Sequence, residues 1–192
     1  ADISRLASLP VPPTLVGLLQ GRVDSLLAPE RVILQRASVV GRRFWAGAIA
    51  TLERADGVAF NDIEAPLHSL TQQEFIYPRD SSDLAGDREY LFAQSMLRDV
   101  AYQTLTRRQL RAYHAGIAEW LAKATRDRLG EFTAMIAEHL EKAGENEQAI
   151  AFLTQAGDRA AQVSAFNQAL AFYQRAMALL GSTRLWGLWG KT

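Results

Sequence analysis

Apolar residues recur at intervals of three and four along most of the chain, which is the period of an amphipathic α-helix. A first stripe, starting at Thr14, predicts a helix that buries Leu15, Leu18, Leu19, Val23 and Leu26. A second helix is predicted from near Pro29 to Gly41, a third over residues 44–55 and a fourth over residues 62–74. Pro29 and Pro66 fit the first turns of their helices, where a missing N–H is tolerated.

The pattern changes between residues 75 and 92. Residues 75–78 and 88–92 are short and rich in aromatic side chains, which is typical of strands. The segment between them, residues 80–87, is polar and contains Gly86, so it is predicted to be a turn. Three helices followed by a two-stranded hairpin are the parts of a winged-helix domain, which we predict over residues 14–105.

From residue 96 onward the pattern predicts only helices. Thr106 and Gln109 have the spacing of a capping box, in which each side chain bonds the other's free backbone N–H. The helix that follows is predicted to bury Leu110, Tyr113, Ile117, Trp120 and Leu121. After a break over residues 125–130, further helices are expected around residues 132–143, 146–163 and 166–180.

Small residues recur at fixed positions in the last two helices, together with one large apolar and one aromatic residue. The small residues are Ala156, Gly157, Ala160, Ala169 and Ala176, and the larger ones are Leu153 and Tyr173. This resembles tetratricopeptide (TPR) spacing, in which small residues let two antiparallel helices approach closely. Leu153 stands where the repeat has tryptophan and Gly181 where it has proline, so an alanine-rich hairpin of no special family remains the alternative.

The predicted fold class is therefore mostly α. An extended linker covers residues 1–13, the winged-helix domain residues 14–105, TPR-like α-α hairpins residues 106–181 and a tail residues 182–192. The tail contains Gly187 and Gly190 beside Trp186 and Trp189, and we expect it not to continue the preceding helix.

Composition excludes several classes of function. The 192 residues include 21 basic and 21 acidic ones, so the formal net charge is zero and the chain as a whole lacks a basic nucleic-acid footprint. There is no cysteine, which excludes disulfides and thiolate metal sites. No apolar run reaches the roughly 18 residues of a membrane span. We expect a cytoplasmic protein without a membrane partner.

Catalytic motifs are missing from the sequence. Gly41-Arg42-Arg43 lacks the second glycine of a phosphate-binding loop. His68, His114 and His139 are far apart and have no neighbours at metal-ligand spacing, so structural or solvent-facing roles are expected for them. We therefore predict no catalytic residue, no metal and no cofactor. An enzyme with a site near His114 and the neighbouring arginines is a residual alternative.

A basic cluster lies around the predicted domain junction, and its members are Arg98, Arg107, Arg108 and Arg111. It is either a solvated helix surface or a contact for an anion or an acidic partner in a groove between the domains.

A winged-helix transcription regulator that binds DNA is the alternative function. The predicted helix before the wing carries Asp62, Glu64 and Glu74 and no basic residue, which opposes insertion into a DNA groove. His68, Gln72 and Gln73 could still read bases. The arginines that could contact phosphate from elsewhere are Arg42, Arg43, Arg79 and Arg88. On balance the charges argue against a nucleic-acid partner.

Several segments resemble one region of the signal-transduction ATPases with numerous domains (STAND ATPases). They are residues 12–15, 17–20, 22–26, 34–45, 89–92, 97–102 and 107–114. The resemblance is closest to bacterial proteins in which a class III adenylate or guanylate cyclase domain precedes such an ATPase and helical repeats. It implies that this chain is a segment of a longer protein, following a phosphate-binding ATPase module.

The resemblance also implies a nucleotide contact. In that family the winged helix closes over the nucleotide, commonly with a histidine just after the wing strand, and Gln94 occupies the matching position here. A glutamine amide can donate a hydrogen bond but carries no charge. The segment alone is therefore expected not to hold ATP.

The expected function is a non-catalytic regulatory module that couples a nucleotide switch to partner binding. Its expected partners are the ATPase module of the same polypeptide and another protein. Two TPR-like hairpins are fewer than the roughly three that a solenoid needs to stand alone. Either the first hairpin leans on the winged helix or a second chain covers the exposed end, so the oligomeric state is left open.

Overall fold

The computed structural model of the chain describes residues 13–52, 57 and 62–189. It is mostly helical and contains a small antiparallel sheet of three strands. The N-terminal unit consists of α1 (Pro13–Asp24), α2 (Ala28–Val40), β1 (Arg43–Trp45), α3 (Ala46–Thr51), α4 (Glu64–Gln72), β2 (Ile76–Pro78), β3 (Glu89–Phe92) and α5 (Ser95–Gln103). The C-terminal part consists of α6 (Arg107–Ala124), a 3-10 turn (Arg126–Arg128), α7 (Leu129–Ala143), α8 (Asn146–Gln162) and α9 (Phe166–Trp189).

The sheet has one strand more than the sequence predicted. Its strand order is β1-β3-β2, and Phe44 in β1 pairs with Tyr90 in β3. The predicted helix over residues 44–55 was therefore wrong at its start, and residues 53–55 of it lie outside the described residues. Phe44 is fully buried and its ring stacks on that of Tyr90 at a centroid distance of 5.5 Å. This long-range pairing outweighs the helical spacing of the local sequence.

The predicted second helix is confirmed as α2. Of the stripe expected to face inward, Ile33, Arg36, Ala37 and Val40 are buried, whereas Val32 is only half-buried. The prediction for α1 was wrong in part. Leu19 and Val23 are buried as expected, but Leu15 and Leu18 are exposed, because α1 packs mainly against α5 and covers only a narrow stripe.

The C-terminal tail also differs from the prediction. Helix α9 runs on to Trp189 instead of ending near residue 180. A glycine inside a helix costs only about 1 kcal/mol relative to alanine, and no proline follows to stop the helix.

One hydrophobic core joins the N-terminal unit to the first helical hairpin, which is formed by α6 and α7. The buried cluster runs from Leu19 in α1 to Ala149 in α8 and crosses the boundary predicted at residues 105 and 106. At the junction the indole rings of Trp45 and Trp120 lie 5.9 Å apart between centroids. The first hairpin therefore leans on the N-terminal unit, which is one of the two arrangements that the sequence predicted.

Gly47 lets the two parts approach closely. A Cβ atom at this position would overlap the carboxylate of Asp87 and lie in tight contact with the ring of Trp120, 3.3 Å away. Both Asp87 oxygens accept from the Gly47 backbone N–H, at 3.1 and 3.0 Å. Burial raises the pKa of Asp87, although the hydrogen bonds from Gly47 and Arg88 oppose this effect.

The second hairpin, α8 and α9, packs through the small residues that the sequence singled out. A Cβ atom on Gly157 would lie 2.6 Å from the Tyr173 ring, so the two helices are closer here than any side chain on residue 157 allows. The Tyr173 hydroxyl also donates to Asp158 at 2.7 Å. The predicted close approach of these helices is confirmed.

Gly157→Ala is expected to lower the free energy of unfolding by about 1–2 kcal/mol, because the displaced Tyr173 ring outweighs the gain in helix propensity. Gly181→Ala on the facing helix is the matched control, since nothing lies within 4 Å of its added Cβ. It should leave stability unchanged or raise it by up to about 1 kcal/mol. Urea unfolding followed by circular dichroism measures both variants. An equal increase in the free energy of unfolding in both variants would contradict the close packing of Gly157 on Tyr173.

Candidate functional site

Three of the four predicted basic residues line one groove. Arg107, Arg108 and Arg111 lie on one face at the start of α6, and together with Ala143 and Glu145 they line a groove of about 540 Å³. We call it the arginine groove. The start of α6 is fixed by the predicted capping box, in which the Gln109 N–H donates to the Thr106 hydroxyl at 3.3 Å.

The charges of the arginine groove conflict with the local helix. The partial positive charge of a helix N-terminus disfavours cations, and like charges three or four residues apart repel each other. The first turn of α6 contains no acidic residue. All three arginines are exposed, and none of them forms an ion pair within the part of the chain that the structure describes. An anion bound in the groove would relieve this conflict.

The arginine groove continues into an apolar channel along α6. The neighbouring groove, of about 450 Å³, shares Ala115 and Glu145 with it and is floored by Ala118, Ile136 and Leu140. On its rim Lys123 is paired with Glu119 at 2.5 Å. The continuous surface therefore has a basic end and an apolar end, with Glu145 as the acidic residue between them.

Arg98, the fourth residue of the predicted cluster, points elsewhere. Its Nε donates to the Ser38 carbonyl at 2.8 Å and its guanidinium pairs with Asp99 at 3.0 Å. The guanidinium also lies over the Tyr102 ring, 4.9 Å from the centroid. Arg98 thus contacts α2 and α5 and is not among the residues that line the arginine groove.

Gln94 lies between β3 and α5, where it is the N-cap residue of α5. Its side chain is exposed and makes no capping hydrogen bond. Its backbone carbonyl accepts from the Leu97 N–H at 3.2 Å. The amide therefore faces solvent at the start of α5.

Two histidines that are 25 residues apart in sequence meet in the interior. Nδ1 of His114 lies 2.8 Å from Nδ1 of His139, and Nε2 of His114 lies 3.0 Å from the Tyr102 hydroxyl. Burial lowers the pKa of His114 to about 3, with a further contribution from His139. Burial likewise lowers the pKa of His139 to about 4, helped by the nearby charge of Lys142. Both imidazoles are therefore neutral over the ordinary pH range.

Three of the four arginines predicted to contact phosphate are paired with carboxylates. Arg43 pairs with Asp83, Arg79 with Glu89 and Arg88 with Glu64. Arg42 is exposed and has no ion pair among the described residues. Gln73, a predicted base reader, instead donates to Glu30 at 3.2 Å.

The carboxylate of Glu89 organises this side of the molecule. Although Glu89 is only 2% exposed, it accepts from the Trp45 indole at 3.2 Å, from Arg79 at 2.5 Å and from the Asp83 backbone N–H at 2.9 Å. The hydrogen bond and the charge of Glu89 raise the pKa of Arg79. One buried anion therefore joins β1, β3 and the loop between β2 and β3.

Sequence reasoning missed the histidine pair and the buried role of Glu89. The burial of His114 could be predicted, because His114 falls on the buried face of α6 beside Tyr113 and Ile117. His139 likewise shares a helix face with Ile136 and Leu140. Nothing local to either residue indicates that the two rings meet, since α6 and α7 come together only in the folded hairpin.

The described residues were also compared with the requirements of a metal centre and of a membrane-spanning helix. They contain no group of three or more metal-ligating side chains, and none of their helices is long and apolar enough to cross a membrane. No protein-family model matches this chain, and neither does any curated protein or any solved structure.

Glu89→Gln is expected to lower the free energy of unfolding by about 2–4 kcal/mol, because it removes the buried charge while its hydrogen-bonding partners remain. Glu119→Gln is the matched control, since Glu119 pairs with Lys123 at the surface and should change stability by no more than about 0.5 kcal/mol. Thermal unfolding of both variants decides the matter. A loss of stability in Glu89→Gln no greater than in the control would contradict the organising role of Glu89.

Proposed function

We propose that this chain is a non-catalytic regulatory module that binds an acidic segment of a partner protein in the arginine groove. The observation that carries the proposal is the placement of Arg107, Arg108 and Arg111 in one groove without an ion pair among the described residues. The electrostatic conflict at the start of α6 costs stability. A bound carboxylate-rich segment compensates for it.

The shape of the surface supports a peptide rather than a small anion. The arginine groove opens into the apolar channel along α6, so an acidic stretch and an adjacent apolar side chain can both be accommodated. Acidic residues give orientation and a fast encounter, whereas burial of the apolar side chain adds affinity. Glu145 between the two ends disfavours a ligand that is acidic throughout its length.

The element order supports a winged-helix unit at residues 14–105. In our proposal α2, α3 and α4 are its three helices, and β2 and β3 form the wing. Strand β1, which lies between α2 and α3 in the sequence, is the third strand of the sheet. Two antiparallel hairpins, one of them packed through Gly157, support TPR-like repeats at residues 106–181.

A place beside a STAND ATPase module follows from the resemblance of the sequence. In the proposed protein Gln94, exposed at the start of α5, faces that module, while the arginine groove faces the partner. A change in how the module holds the N-terminal unit then reaches α6 through the shared core. Packing, rather than chemistry at reactive groups, transmits the signal.

The alternative, a DNA-binding regulator, is weakened by the ion pairs of Arg43, Arg79 and Arg88. Each of these arginines would have to leave a carboxylate before contacting a phosphate. The alternative is kept as an outcome of the experiment below.

Binding of a fluorescein-labelled peptide in which a short stretch of Asp and Glu residues is followed by Leu residues tests the groove by fluorescence anisotropy. The wild-type chain should bind it more tightly than the same peptide with Asn and Gln in place of the acids, and binding should weaken with salt. Arg108→Ala/Arg111→Ala should weaken binding at least about tenfold, because two charges that face the ligand are lost.

Arg42→Ala/Arg126→Ala is the matched control, since it removes the same charge from exposed arginines outside the groove. An equal loss in the two double variants would overturn the groove as the binding site. Tighter binding of a labelled DNA duplex at equal salt, reduced mainly by Arg42→Ala/Arg126→Ala, would favour the DNA-binding alternative. Hydrolysis of ATP or formation of a cyclic nucleotide by the purified chain would refute the non-catalytic assignment.

A further inference from the structure

The buried histidines connect the first hairpin to the N-terminal unit. His114 belongs to α6 and His139 to α7, whereas Tyr102 belongs to α5. The His139 ring also forms a hydrogen bond with the backbone carbonyl of Val40, the last residue of α2. Four helices thus meet at one polar chain whose histidines are only 1% and 5% exposed.

The chemistry of the end groups fixes the direction of the hydrogen bonds. The Val40 carbonyl can only accept, so His139 donates to it and keeps its other nitrogen, Nδ1, as an acceptor. Nδ1 of His114 then donates to His139, which leaves Nε2 of His114 to accept from the Tyr102 hydroxyl. Every donor and acceptor is satisfied when both rings are neutral and carry one proton each.

We propose that this chain of hydrogen bonds, from Tyr102 through His114 and His139 to Val40, is an acid-sensitive latch that holds the first hairpin on the N-terminal unit. We call it the histidine latch. It does not depend on what the arginine groove binds. Because α6 carries that groove, opening of the latch would change how the groove is presented.

A proton added to either ring leaves a charge inside the protein, and a second proton breaks the chain. When both rings are protonated, both Nδ1 atoms carry hydrogens and face each other across 2.8 Å. Among the described residues, the charged groups around the pair offer no unpaired anion to compensate the added charge. Arg98 on α5 and Lys142 on α7 are cations that disfavour the added charge. Asp99 and Glu138 are the nearby acids, and they are already paired with Arg98 and Lys142, respectively.

The lowered pKa values of both histidines agree with this account. An unfolded or released histidine has a pKa near 6.5, whereas in the folded chain His114 and His139 have pKa values of about 3 and 4. The open state therefore binds more protons than the closed one. Stability from the latch is fully present above about pH 6.5 and is lost as the pH falls toward the folded values.

The experiment follows opening as a function of pH in the full chain. Trp186→Phe/Trp189→Phe leaves Trp45 and Trp120, whose rings meet at the junction, as the fluorescent reporters. Circular dichroism reports helix content in the same samples. On acidification in dilute urea, the fluorescence change should come before the loss of helix. Between about pH 6 and pH 5 the equilibrium constant for closure should fall about 60-fold, because nearly two protons are taken up.

His139→Gln in the same background keeps one donor and one acceptor but cannot be protonated. The decrease in the equilibrium constant for closure between about pH 6 and pH 5 should therefore shrink to about tenfold or less. His68→Gln is the matched control, because His68 is exposed and outside the latch, and it should keep the wild-type dependence. Tyr102→Phe should move opening to higher pH.

Two results would overturn the latch: a pH dependence in His139→Gln equal to that of wild type, or fluorescence and helix content changing together. If His139→Gln does not fold, carbon-13 NMR of the imidazoles in the wild-type chain decides the question. Signals of His114 and His139 that stay in the neutral form down to about pH 5 support the latch, and titration near pH 6.5 with the chain still folded overturns it.

Discussion

The carboxylate of Glu89 is the anion around which the sheet side of the molecule is arranged. It is almost fully removed from water, and a buried charge is tolerated only when its lone pairs are met by well-placed donors. Trp45, Arg79 and the Asp83 backbone supply those donors, so β1, the loop after β2 and the start of β3 have to come together. Trp45 is held in this way against the sheet and presents its ring to Trp120.

The placement of the arginine groove depends on this arrangement. Arg107, Arg108 and Arg111 lie on the helix that carries Trp120, and the position of that helix is fixed by the packing of Trp120 on Trp45 and by the approach to Gly47. The unfavourable charge at the start of α6 is tolerated because the buried face of the same helix stabilises it through packing. The preference for acidic residues in the first turn of a helix is violated at the N-terminus of α6, where the surface is exposed, and not along its buried face.

Much of the fold could be read from the sequence because its signals are local. The capping box at Thr106, the α2 stripe and the small residue at position 157 each act within one helix or one hairpin. Strand β1 was missed because residues 43–45 become a strand only by pairing with residues 89–91, which are distant in sequence. The histidine pair escaped prediction for the same reason. Of the candidate cluster at the predicted junction, the three arginines of α6 line one groove, whereas the direction of Arg98 is set by Ser38 and Tyr102 in the folded chain.

The shared core limits how freely the parts of this protein can be exchanged. The face of α6 that bears Ile117, Trp120 and Leu121 is an interior surface, and its complement in the N-terminal unit is formed by α2, α3 and Trp45. A chimera in which the N-terminal unit or the first hairpin was replaced would expose a large aromatic surface to water, unless the replacement contained a residue that packs on Trp45 or Trp120. The two sides of the tryptophan contact are therefore expected to evolve together, so that a substitution on one side is accompanied by a compensating substitution on the other.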